Sequence, residues 1–116
     1  MTLLPARTRV YVMRGKNGLT KIGSSDNPRQ RRRGVRKDAG GEVELMWQSE
    51  KHHMACTIER ALLTFFEPYR AKGEWFWIAP EWAIDAAEIA VHFAYHGVTT
   101  TTLVKVLNGD LLPGRR

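Results

Sequence analysis

One cysteine, Cys56, is all that the 116-residue chain offers for cross-linking. No internal disulfide framework can hold it together, and nothing in its cysteine usage points to export; a reducing, cytoplasmic setting fits. Long apolar runs are missing too. None approaches the roughly 20 residues needed to cross a bilayer, and the start, Met1 to Arg9, lacks the apolar segment of a signal peptide. A soluble protein with no membrane partner is therefore expected. There is no glycine-rich phosphate loop, no serine-nucleophile motif and no dinucleotide fingerprint, which excludes the hydrolases and dehydrogenases built on those devices. Internal repeats and low-complexity linkers are absent as well.

What is present is an ordinary globular composition, 43% hydrophobic and 26% charged, in a length that suits one domain with a core of its own. A single domain over 1–116 is expected. The net charge of +6 is unevenly spread. From Arg7 to Lys37 there are eleven Lys or Arg against one acid, Asp26, whereas the rest of the chain carries seven bases against eleven acids. A basic half joined to a mildly acidic one suggests a single face for a polyanion, although a merely solvated charged helix has the same composition.

The β-branched and aromatic run Thr8 to Arg14 leads into Gly15-Lys16-Asn17-Gly18 and then Leu19 to Gly23, which predicts a β-hairpin. Neither face of its first strand is simply polar, so that strand should lie inside the sheet. Asn27 and Pro28 supply a cap and a first helical residue for a basic helix that closes near Gly40-Gly41. Glu42 to Gln48 reads as a third strand. Met54, Ile58, Ala61, Leu62, Phe65 and Phe66 form a helical stripe ended by Pro68. Trp75 to Ile78 offers another short strand, and Pro80 opens a helix to about His96, with Gly97 as its stop. Thr99 to Val106 reads as a strand, and Gly109, Pro113 and Gly114 as a frayed end. The order β-β-α-β-α-β-α makes an α/β or α+β fold, a small central mixed or antiparallel sheet flanked by helices.

Hydrolysing a phosphodiester needs a cation on the phosphate, a group that orients or deprotonates water, and a carboxylate for a metal. Tyr11, Lys21, Arg31 and Glu59 are candidates on four different elements. Each has a plainer alternative: a strand aromatic for Tyr11, a solvated strand cation for Lys21, one more solvated arginine for Arg31, and a surface acid paired with Arg60 for Glu59. Glu59 borders the stripe of Ile58 and Leu62, where an uncompensated charge would be costly. Lys21 close to Tyr11 would favour the phenolate. The two share a sheet face only if paired residue numbers in the hairpin sum to an even value, which demands a loop of three or five residues or a bulge. His52 with Cys56 and His92 with His96, both pairs at i, i+4, form a rival zinc constellation.

Val10-Tyr11-Val12, Lys21-Ile22-Gly23, Asn27-Pro28 with Arg31, Ile58-Glu59 and Gly73-Glu74-Trp75-Phe76 come in that order. Together they resemble the GIY-YIG nuclease superfamily, in particular its phage-associated branch with K-I-G and E-W-F motifs. The resemblance spans a core of about 9–78 and leaves a C-terminal helix and tail over 80–116. It implies a metal-dependent DNA endonuclease using one Mg or Mn ion. By motif position Tyr11 would position or activate water, Arg31 would contact phosphate with Lys21 in support, and Glu59 would be the metal ligand. Arg29, Arg32, Arg33, Arg36 and Lys37 would hold the nucleic acid, duplex DNA in the first instance. Trp75 and Phe76 read as core or as a base-stacking edge, with Glu74 a structural acid. Arg9 in place of the first glycine, Lys21 in place of the second tyrosine and Val35 where many members have histidine depart from the pattern. A non-catalytic nucleic-acid-binding module on the same fold is the alternative. At this length base specificity would have to come from a homodimer or a partner, and a small-molecule partner is left open.

Overall fold

The computed structural model describes residues 8–109. Arg7 of the basic segment and the expected frayed end at Pro113 and Gly114 lie outside the described residues. The opening hairpin joins β1 (Arg9–Gly15) to β2 (Thr20–Ser25). Its register pairs Tyr11 with Gly23 and Met13 with Lys21, so the sums are even and Tyr11 and Lys21 share a face. Gly15 and Leu19 bracket a three-residue loop: the Gly15 amide donates to the Leu19 carbonyl at 2.8 Å and the Gly18 amide to the Gly15 carbonyl at 3.2 Å. Gly18 takes a φ of 85° there, a left-handed conformation in which a side chain would be strained.

Asn27 caps α1 (Pro28–Ala39) by accepting from the Gln30 amide, and Gly40 at φ 70° ends it. The third strand, β3 (Val43–Gln48), pairs with β1 through a bulge between Val12 and Met13. Beyond α2 (Ala55–Phe65) and a 3-10 turn at Glu67–Tyr69, β4 (Arg70–Lys72) and β5 (Trp75–Phe76) form a second, tighter hairpin. The five strands run in the order β3-β1-β2-β5-β4, and every pairing is antiparallel. The fold is thus α+β, the antiparallel of the two expected sheet types, with β1 flanked on both sides.

Two expectations about the C-terminal part are corrected. α3 (Pro80–Phe93) stops three residues before His96, because Ala94 is extended and the chain turns through Gly97 at φ 90° to bury Val98. The segment from Thr99 is not a strand but α4 (Thr100–Leu107), capped by the Thr99 hydroxyl accepting from the Thr102 amide. Its β-branched residues favour strands, yet burying Leu103 and Val106 at helical spacing against α2 and α3 prevails. Local propensity yields to packing.

The sheet separates two cores of unequal size. On one face Val10, Val12 and Ile22 pack with Ile58, Leu62, Phe66 and Phe76 and with the inner sides of α2, α3 and α4. On the other, Tyr11, Met13, Val35 and Val43 pack with Leu45 and Trp75 under α1, the one helix over that face among the described residues. Among the described residues no helix is long and apolar enough to cross a membrane.

Candidate active site

Because β2 ends at Ser25 and α1 starts at Pro28, the first turn of α1 stands over the end of β2. Helical side chains lean toward the N-terminus, which brings Arg31 back over the sheet. Tyr11 reaches the same place from β1. Its ring lies across Gly23, where a Cβ would overlap the phenol; glycine is required here for space, since the strand backbone is extended. Tyr11 is 1% exposed. Burial pushes its phenol up to about 12, while Arg31, hydrogen-bonded to the hydroxyl, pulls in the opposite direction; the carboxylates of Glu74 and Glu59 push it further up.

Glu59 approaches from the other side. On α2 it lies beside buried Ile58 and accepts a 2.6 Å hydrogen bond from the Ser24 hydroxyl, next to Gly23 on β2. Desolvation raises the Glu59 carboxyl above the ordinary carboxylate range; the Ser24 hydroxyl lowers it, Glu74 raises it through charge and a shared hydrogen bond, and Lys21 lowers it. Two neighbouring carboxylates without a counter-charge repel, so each favours a proton or a cation between them. Lys21 supplies part of that charge. Its side chain is 12% exposed, and its ammonium donates to Glu74 at 2.9 Å.

The structure therefore brings Tyr11, Lys21, Arg31 and Glu59 around the end of β2, with two corrections of detail. The cation on the phenol is Arg31; Lys21 is turned toward Glu74 and leaves Tyr11 to the guanidinium. Glu74, read from sequence as a structural acid, sits between Lys21 and Glu59. Ser24 is an addition that the motifs do not name. Only the adjacency of Ser24 to the K-I-G segment could have signalled it. Gln48 is a further addition: it pairs with Tyr11 across β1 and β3, and its Oε1 is buried without a hydrogen-bond partner among the described residues. A buried acceptor left so is costly, and a donor from a bound molecule would relieve it.

Around this centre α1 presents its charge on more than one side. Arg29, Arg33 and Lys37 are exposed, and Arg32 and Arg36 are half-buried. Arg36 is paired with Glu42 at 2.7 Å and Arg14 with Glu44 at 2.7 Å. Arg32 joins Arg14 and Lys16 along a groove of about 580 Å³.

The zinc constellation does not assemble. Among the described residues no group of three or more His, Cys, Asp or Glu side chains could hold a metal ion. His52 precedes α2 and its Nδ1 accepts from the Met54 amide, while His96 lies beyond the end of α3, so neither i, i+4 pair occupies one helix. The pair Glu59 and Glu74 with the Ser24 hydroxyl is a set of hard oxygen donors. It fits a Mg or Mn ion that keeps most of its waters, not a closed protein cage.

These features define a small antiparallel α+β protein with a mixed phenol, guanidinium and carboxylate site at one end of its sheet. The family model of the T5orf172 domain matches residues 8–91, which takes in β1 through most of α3, and the chain belongs to that family. No curated protein and no solved structure matches the chain.

Proposed function

We propose that the protein is a metal-dependent endonuclease of the GIY-YIG type that hydrolyses phosphodiester bonds of DNA. The observation that carries this is convergence. Four side chains from β1, β2, α1 and α2, chosen by motif position, lie around one point together with a second carboxylate. Such a gathering of a phenol, two cations and two acids supports phosphate chemistry better than it supports packing, because the partly buried Glu59 carboxylate has no cation of its own beside it among the described residues, while Lys21 is paired with Glu74.

In this reading Arg31 holds the scissile phosphate, and Arg29, Arg32, Arg33 and Lys37 engage its neighbours along duplex DNA, while Arg36 stays tied to Glu42. Tyr11 orients the attacking water through its hydroxyl. With its pKa near 12, the phenol is neutral at physiological pH, so a base role requires added positive charge beside it. Mg or Mn held by Glu59, with Glu74 alongside, would supply Lewis-acid stabilisation to the charge that builds on the phosphate. Lys21 keeps Glu74 in place. The resemblance to the phage-associated branch adds weight, since the K-I-G lysine and the E-W-F glutamate form one ion pair here.

The test is Glu59→Gln, which keeps size and helix propensity but removes the anionic oxygen. Plasmid nicking in Mg or Mn should fall by at least about three decades, roughly 4 kcal/mol of transition-state stabilisation, with DNA affinity retained. A second reading, a non-catalytic nucleic-acid-binding module, draws on the neutral phenol and on the Lys21–Glu74 pair that cancels its own charge. Wild-type protein that binds DNA but nicks nothing in either metal across pH would favour it.

A further inference from the structure

A groove of about 560 Å³ opens directly beside Lys21 and Glu74, between the end of α1 and the β4–β5 turn. Trp75 is among its lining residues. The indole stands so close to Gly15 that a Cβ there would meet the edge of its six-membered ring at 3.0 Å. Ala39, at the last turn of α1, lines the groove too and has no bulk to fill it, and Asn17 and Lys72 add polar side chains to the lining. Lys21 is 6.0 Å from the centre of the indole ring. Its charge is balanced by Glu74, so Lys72 provides the net positive charge of the groove. The turn that carries Gly73 and Glu74 is held by Arg70, which donates to the Gly73 carbonyl and pairs with Glu67 at 2.7 Å.

We propose that this groove takes one unstacked nucleobase of the bound strand, laid on Trp75, with its phosphate toward Lys72. An aromatic ring, one amide and one cation without an acidic partner among the described residues match a nucleotide, whose base has a π-face and whose phosphate carries a charge. The volume lies in the range of small-ligand sites. A base paired in a duplex cannot reach the indole, so the substrate preferred over plain duplex is DNA with an unpaired nucleotide beside the cut, as at a flap, bulge or overhang. This deepens the nuclease reading and rests on it, because the slot adjoins the carboxylates assigned to the metal.

Fluorescence anisotropy in EDTA, which prevents cleavage, tests it with three labelled probes: a fully paired duplex, the same duplex with one unpaired thymidine, and that duplex with an abasic residue instead. The thymidine should tighten binding about tenfold, as stacking of one base would, and the abasic residue should not. Trp75→Leu should erase the difference and leave duplex affinity unchanged. Since Trp75 also packs in the smaller core, Ala39→Phe provides a second variant that fills the slot from an exposed helix position and should erase it equally. Equal affinity of wild type for all three probes, or a preference that survives Ala39→Phe in folded protein, overturns the slot while the nuclease reading stands. Failure to bind any probe overturns both.

Discussion

Burial pushes the Tyr11 phenol up to about 12 from an ordinary value of 10.0, and a pH dependence of stability follows. A folded state that holds a proton the unfolded chain has released is favoured less and less as pH rises. The contribution is therefore complete below pH 10 and is lost between about pH 10 and 12, up to roughly 2–3 kcal/mol for a shift of that size. Tyr11→Phe keeps the ring over Gly23 but has nothing to titrate. Chemical denaturation at a series of alkaline pH values should show this decline in wild type and its loss in the variant, whose cleavage should fall about a hundredfold or more if the hydroxyl orients water. An identical alkaline profile in both proteins would remove Tyr11 as its source. At this scale the sequence was only partly legible. Spacing put Tyr11 and Lys21 in one neighbourhood, but it cannot tell that Lys21 reaches sideways to Glu74 while Arg31 comes down from a helix to the phenol. Glu74 was undervalued because it occupies a turn, where an acid usually faces solvent. Only the closure of β5 onto β2 brings it against Glu59.

Elements whose residues meet local rules were the legible ones. The hairpin, α1 with its Asn27 cap and Gly40 stop, and α2 with its apolar stripe all form close to the expected bounds, since turn chemistry, capping and periodicity agree there. Where rules conflicted, the reading failed, as it did over α4. Four threonines and two valines between Thr99 and Val106 spell a strand locally, and only the exposed flank of α2, which no sequence pattern displays, makes them a helix. For α1 the element-scale consequence is electrostatic. Arg29 and Arg33 are exposed without an acidic partner among the described residues, whereas Arg36 is tied to Glu42. Removing a phosphate contact flattens the dependence of log affinity on log salt by about 0.9. Arg29→Gln with Arg33→Gln should thus flatten the slope by nearly two, and Arg36→Gln should change it little. Titrations across a salt series decide this: a flattening of about 0.9 from Arg36→Gln alone would mean that the Glu42 pair opens on binding.

Taken whole, the molecule leans on its larger core. α4 lies beyond residue 91, where the family match ends, yet Leu103 is fully buried among α2, α3 and α4. Leu103→Ala should cost about 2–5 kcal/mol, read as an earlier urea midpoint with unchanged slope, and should leave DNA affinity intact because α1 is on the opposite side of the sheet. A variant that loses affinity in proportion to stability would show the two sides to be coupled. Such coupling has a defined route, the end of β2. Gly23 gives its bare surface to Tyr11 on the thin side, and the next residue, Ser24, holds Glu59 on the thick side. Two consecutive residues of one strand thus act as a rivet through the sheet. The phenol and guanidinium are clamped to one plate and the carboxylate to the other, so whatever loosens either plate misaligns the two without touching a single atom of either group.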